Sequence, residues 1–204
     1  GNTVVPGTTL VAGSNCDDCS NAVPIPFPFT FYGTAFNSVN AVSNGNLQFT
    51  STNTAFTNAC LPQATMNNLI APHWDDFLLT GATDGIYTST SGSAPNRIFN
   101  IEWRGGYFSG GGLVDFEARL YETSGRIDFI YGTVDQSGSS ATVGLQQGIG
   151  ATMYTQFECN TGGLSPGFGI SYVPTTCGTP SATPTSTSTA TSTPTATSTS
   201  TPMF

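Results

Sequence analysis

The 204-residue chain contains no lysine and a single histidine, and charged residues make up only 8% of it. Four arginines against twelve acids leave a formal charge of −8, so the sequence has no basic patch for nucleic-acid phosphates or an anionic lipid surface. Long apolar runs are missing too, and nothing approaches the roughly 20 consecutive residues a membrane-spanning helix needs. No ten-residue stretch keeps a 3.6-residue apolar period, which leaves room only for short helices. H-E-x-x-H does not occur, so the familiar sequence mark of a zinc protease is lacking. With no N-x-Ser/Thr sequon in the chain, any sugar it carries is expected to be O-linked.

What is present is 37% hydrophobic residues, 14 of them Phe, enough for one sizeable core. The dominant period from residue 24 to 173 is two. In "PIPFPFTF" it puts Ile25, Phe27, Phe29 and Phe31 on one face, with Pro26 and Pro28 on the other. Proline has no donor for a central ladder, so this is an edge strand or a lead-in to one. "RIFNIEWR" turns Phe99, Ile101 and Trp103 inward, and "LVDFEARLYE" does the same with Val114, Phe116, Ala118 and Leu120. "GRIDFIYG", "ATVGLQ" and "FGISY" repeat the pattern between Gly, Ser and Asn turns. The expectation is an all-β fold, an antiparallel β-sandwich of jelly-roll-like form with an extended C-terminal tail. Residues 1–177 would form the domain and 178–204 the tail. Asn44 and Gly45 in "VSNGNLQF" are expected at the tip of a tight hairpin with positive φ angles.

Cysteines at 16, 19, 60, 159 and 177 in a charge-poor chain rich in Gly, Ser, Thr and Asn read as extracellular, where disulfides persist. If the protein is secreted, Gly1 lies near a processed N-terminus. The preferred bridge is Cys60–Cys159; Cys177 would tie the end of the domain to Cys16 or Cys19, leaving one thiol over. The alternative for "CDDC" is zinc, but with His73 the only imidazole, a four-ligand set would be irregular.

The ordered segments "FPFTFYGTAFNSVNAVSNGNLQF", "NLIAPHWDDF", "GIYTST", "FEARLYETSGRIDFIYG" and "ATVGLQ" resemble the motifs of nidogen-type extracellular domains. With the "CDDC" loop, "NACLP", "FECNTGGLS" and the Thr/Pro-rich tail, the chain is also similar to secreted proteins of filamentous bacteria of the Chloroflexota type. The resemblance covers about residues 8 to 177. It implies a β domain of matrix and adhesive proteins without known catalysis.

Several residues invite a chemical role. Asp75, Asp76 and Asp84 offer the hard oxygen ligands that suit calcium, provided the loop between them folds back; capping of backbone donors is the plainer reading, and Asp17 and Asp18 make a weaker case of the same kind. His73 beside Asp75 raises the question of a catalytic base, which would need a nucleophile within hydrogen-bond reach and an orienting carboxylate beyond; a structural histidine is expected. Glu102 with Arg104, Glu117 with Arg119 and Arg126 with Asp128 place opposite charges two residues apart, as on a solvated outer sheet face; a contact surface for another subunit is the sharper reading. Tyr107 and Phe108, in the glycine-rich "RGGYFSGGG", are the best candidates for exposed contacts, with a glycan, a neighbouring subunit or their own core as the alternatives.

In the tail, threonine occupies every odd position from 183 to 201. Extended backbone sends Thr183, Thr185, Thr187, Thr189, Thr191, Thr193, Thr195, Thr197, Thr199 and Thr201 to one side, and the composition is that of an O-glycosylated stalk. Twenty such residues span roughly 65 Å, enough to reach a neighbour, with Met203 and Phe204 anchoring the far end. The expected function is a secreted structural subunit, not an enzyme, whose partners are other copies of itself in an extracellular filament or cell-surface array. The alternative is an adhesive or carbohydrate-binding module that binds surface glycans from a glycosylated stalk. No cofactor beyond the candidate calcium is expected.

Overall fold

A computed structural model describes residues 2–150, 153–175 and 181–186, the last six by their backbone pairing. Among these residues there is no helix. The strands are β1 (Thr9–Leu10), β2 (Ser20–Phe31), β3 (Thr34–Val42), β4 (Asn46–Gln48), β5 (Leu69–Trp74), β6 (Phe77–Leu78), β7 (Gly85–Ser91), β8 (Ile98–Tyr107), β9 (Leu113–Tyr121), β10 (Ile127–Val134), β11 (Thr142–Gln146), β12 (Tyr154–Cys159), β13 (Phe168–Val173) and β14 (Ser181–Ser186). They form two antiparallel sheets. One runs β1-β7-β8-β9-β10-β13-β14 with β6 paired to β8, and the other runs β12-β11-β5-β4-β3-β2.

The expected sandwich is present, and the alternation that predicted it is visible in the packing. Ile25, Phe27, Phe29 and Phe31 of β2 all point into the core while the prolines between them face out. β2 is an edge strand, and its pairing with β3 is interrupted between Pro24 and Phe29, across the prolines that lack a donor. The sheets are also tied to each other by polar groups. Trp103 on β8 stacks on Phe116 at 5.2 Å and donates its indole N–H to the Val42 carbonyl (2.8 Å). Tyr131 on β10 donates its hydroxyl to the Pro72 carbonyl (2.6 Å).

Three features depart from the expectation. The link between β3 and β4 takes three residues, Ser43 to Gly45, and of these only Gly45 has positive φ (+70°). Asn44 is fully buried: its amide donates to Asp18 Oδ1 (2.6 Å) and the Thr54 carbonyl (3.0 Å), and its Oδ1 accepts from the Phe77 N–H (3.0 Å). The outer face of the six-stranded sheet is dry over β4, β5 and β11, where residues 49–68 fold over it around a second cluster of Leu61, Met66, Leu69, Ala71 and Trp74. Finally, Cys16 bonds Cys19, so the expected tie from Cys177 to either of them is corrected: three residues of separation close more readily than a long-range link. Cys60–Cys159 forms as expected and fastens the covering loop to β12. Cys177 lies outside the described residues.

Candidate functional site

The sequence singled out His73 first. It sits on β5 with no exposure, ringed by Phe77, Phe116, Tyr107 and Tyr131. Burial drives its pKa down to about 3, so the imidazole is neutral. Its Nε2 lies 3.4 Å from the Tyr107 hydroxyl and 3.9 Å from Asp75 Oδ2. Ser140 donates to Asp75 (2.7 Å) rather than to the histidine. Among the described residues no serine or cysteine side chain is bonded to the ring, which packs among the aromatic side chains.

The three carboxylates named for calcium are not gathered. Asp84 accepts from the Gly81 N–H (2.8 Å) in its own turn, and Asp75 is buried against Ser140. Asp76 instead shares a small cleft with Asp17, Asp18, Phe56 and Phe108, and its carboxyl titrates above the usual range, first through burial and then through the charges of Asp18, Asp17 and Asp75. Among the described residues no three His, Cys, Asp or Glu side chains are placed to hold a metal ion.

Tyr107 corrects a second expectation. The glycines before it belong to β8 and not to a loop, so the inward period of Trp103 continues to Tyr107, which is buried against Phe77. Phe108, one residue on, turns outward and is 56% exposed. Phe56, also half exposed across the same cleft, carried no sequence signal because its loop has no period.

All four arginines hold a carboxylate, three of them with the expected partners: Arg104 with Glu102, Arg119 with Glu117 and Arg126 with Asp128, while Arg97 grips Glu122. Part of the face they occupy is covered: Arg119 and Glu117 are buried, while Arg97, Arg104 and Arg126 stay about a third exposed. Residues 3–7 run across it as a strap, the Val5 and Gly7 N–H groups donating to Glu117 (2.9 Å) and Glu102 (2.5 Å), and the Thr3 and Gly7 carbonyls accepting from Arg119 and Arg104. Glu102 and Glu117 are thereby buried. Nothing in the strap's sequence signals this, because backbone groups make the contacts.

Two further features were not anticipated. Ser181–Ser186 of the tail pair with β13 in full register, from Val173↔Ser181 to Phe168↔Ser186, and so extend the sheet past residue 177. Thr183 and Thr185 stand on this strand; Thr187 to Thr201, Met203 and Phe204 lie outside the described residues. At the Val173 end of the same sheet, the β2–β3 turn, the β9–β10 turn and the segment after β13 enclose a cleft of about 290 Å³. Its wall holds Phe31, Tyr32, Ile127, Tyr172 and Pro174. The hydroxyls of Tyr32 and Tyr172 are both shielded from solvent and have no hydrogen-bond partner among the described residues. Burial raises both pKa values, that of Tyr32 to about 12, so both remain protonated donors.

A disulfide-braced β-sandwich with a strand-forming tail defines the class. Within it, the chain matches the family described as NIDO related over residues 2–202 and belongs to that family. No curated protein and no solved structure matches it. The two disulfides and the family together place it as a secreted or extracellular protein.

Proposed function

We propose that this chain is a non-catalytic structural subunit that polymerises outside the cell into a filament or surface array, with the tail, O-glycosylated on its threonines, making the connection between copies. The observation that carries this reading is the pairing of Ser181–Ser186 with β13: the tail's Ser/Thr/Pro repeat is competent to form a strand, and the edge of this sandwich accepts it. Two other edges are poorer templates: β2 carries prolines at 24, 26 and 28, and β1 is two residues long. The test is native electron microscopy and sedimentation of the full chain beside a form ending at Thr175. Polymers are expected only from the full chain, and equal assembly of the truncated form would rule out a connecting tail.

A second reading, an adhesive module that binds surface glycans, is favoured by Phe56 and Phe108, 51% and 56% exposed, facing Asp17, Asp18 and Asp76 across one cleft. Exposed rings stack on the C–H faces of sugars, and carboxylates accept from their hydroxyls. Glycan-array binding abolished by Phe108→Ala would favour it over the first reading.

A further inference from the structure

The strand β14 runs antiparallel to β13, so Ser186 lies beside Phe168, at the end of the sheet opposite Tyr172 and Pro174. The chain beyond Ser186 therefore departs from one pole of the sandwich while the aromatic cleft opens near the other, about 20 Å back along β13. A tail that leaves one pole and a receptor at the other make a heterologous, head-to-tail contact, the kind that propagates into an open chain of subunits.

The chemistry of the cleft matches that of the tail. Phe31, Tyr32, Ile127 and Pro174 give it an apolar, aromatic wall, and its one charged lining residue, Glu122, is neutralised by a two-point pair with Arg97 (2.9 and 2.6 Å). Residues 187–202 are uncharged and carry Thr-Pro steps at 193–194 and 201–202. Proline rings in an extended segment lie flat on aromatic side chains, and the carbonyls beside them, which no neighbouring N–H in the segment satisfies, take hydrogen bonds from donors such as tyrosine hydroxyls. The buried Tyr32 and Tyr172 hydroxyls are two such donors without a partner among the described residues. From Ser186 an extended chain covers about 25 Å to Pro194 and about 50 Å to Pro202.

Resting on the polymer reading above, we infer that the cleft formed by Tyr32, Tyr172 and the β9–β10 turn receives a Thr-Pro step of the tail of a second copy.

The test uses the full chain carrying Pro194→Ala and Pro202→Ala, so that its own tail does not compete, titrated with a synthetic peptide of residues 187–202 and followed by NMR. Saturable binding is expected. It should weaken at least tenfold when Tyr32→Phe or Tyr172→Phe is added, and disappear when both prolines of the peptide are alanine. Tyr172→Phe removes only an unpartnered hydroxyl, so the melting temperature should hold. Ser124→Trp on the exposed rim should block the cleft without touching the core. Failure of the peptide to bind, binding indifferent to all three cleft variants, or a neutral hexose saturating the cleft in its place overturns the inference. Assembly that needs the tail but ignores the cleft variants sinks this site and leaves the polymer reading standing; assembly without the tail sinks both.

Discussion

Gly45 and Gly110 have nearly the same backbone conformation, φ +70° and +77°, in very different surroundings. A Cβ on Gly110 meets nothing within 4 Å. One on Gly45 would overlap the His73 carbonyl oxygen and come within 2.7 Å of the Phe77 ring. Gly45 also accepts from the His73 N–H through its own carbonyl (3.3 Å), so neither strand can withdraw without loosening that bond. Gly110→Ala should cost only the left-handed backbone penalty, about 1–2 kcal/mol. Gly45→Ala should cost that plus overpacking, about 1–3 kcal/mol more. For a domain of this size each kcal/mol is worth roughly 2–4 °C in Tm, so the two variants should melt about 2–12 °C apart, with Gly45→Ala lower. Differential scanning calorimetry on matched samples reads this directly. Equal melting temperatures would show that the β3–β4 link is free to move away from β5, and the buried hairpin described above would be wrong.

Removing Cys60–Cys159, which spans 99 residues, should destabilise the domain by about 4–5 kcal/mol in the chain-entropy picture, against about 2 kcal/mol for Cys16–Cys19 with its separation of three; urea titration of the two double-alanine variants gives the comparison, and the reverse order would contradict it. Deleting residues 1–6 takes the Val5 donor from Glu117 and exposes the ion pairs beneath, so a loss of about 2–3 kcal/mol is expected for a hydrogen bond to a charged group, while an unchanged urea midpoint would mean the strap is not bound. Burial raises the carboxyl of Glu158 to about 7 and that of Asp115 to about 6. Since both exceed the unfolded values near 4, their contribution to stability is complete below about pH 4 and is lost as pH rises through 6 to 7. Buried His73, with its pKa lowered to about 3, acts in the opposite sense up to about pH 6.5, so the reading is the difference in Tm between wild type and Glu158→Gln: it should fall between pH 5 and 8, and a flat difference would show that Glu158 is not desolvated.

Strand faces were legible because a period of two fixes which side chains share a face. Phe27, Trp103, Phe116 and Ile170 are all core residues, and the prolines of β2 marked an edge through a property of the residue itself. What covers each face was not legible. The strap over Glu102 and Glu117 binds through main-chain N–H groups that every residue but proline possesses, and the loop over Trp74 is held by a carbonyl, Ala55, accepting from the indole at 2.8 Å. Tyr107 was misplaced because two glycines were read as a loop when they continue β8. The acidic cleft brings Asp76 together with Asp17 and Asp18 from nearly 60 residues away, a contact fixed by the Cys16–Cys19 loop packing beside β6 rather than by local spacing.

The same distinction bears on the tail. Its threonine alternation was read as extended backbone, and an extended backbone by itself has no preferred partner, since every strand edge offers the same N–H and C=O ladder. Selection among edges comes from what the domain has closed. Along β2 the prolines remove donors, and on the outer side of the eight-stranded sheet the strap already occupies the charges of Arg104 and Arg119. β12 and β13 keep full ladders that a Ser/Thr/Pro segment can extend, and it is β13 that takes one. The pairing of β14 with β13 lies within one chain and, being made through backbone bonds, carries little sequence specificity, so a polymer needs a contact of its own between copies. The Tyr32–Tyr172 cleft can supply that contact because proline, unlike threonine or serine, recurs in the tail beyond Ser186 only at 194 and 202.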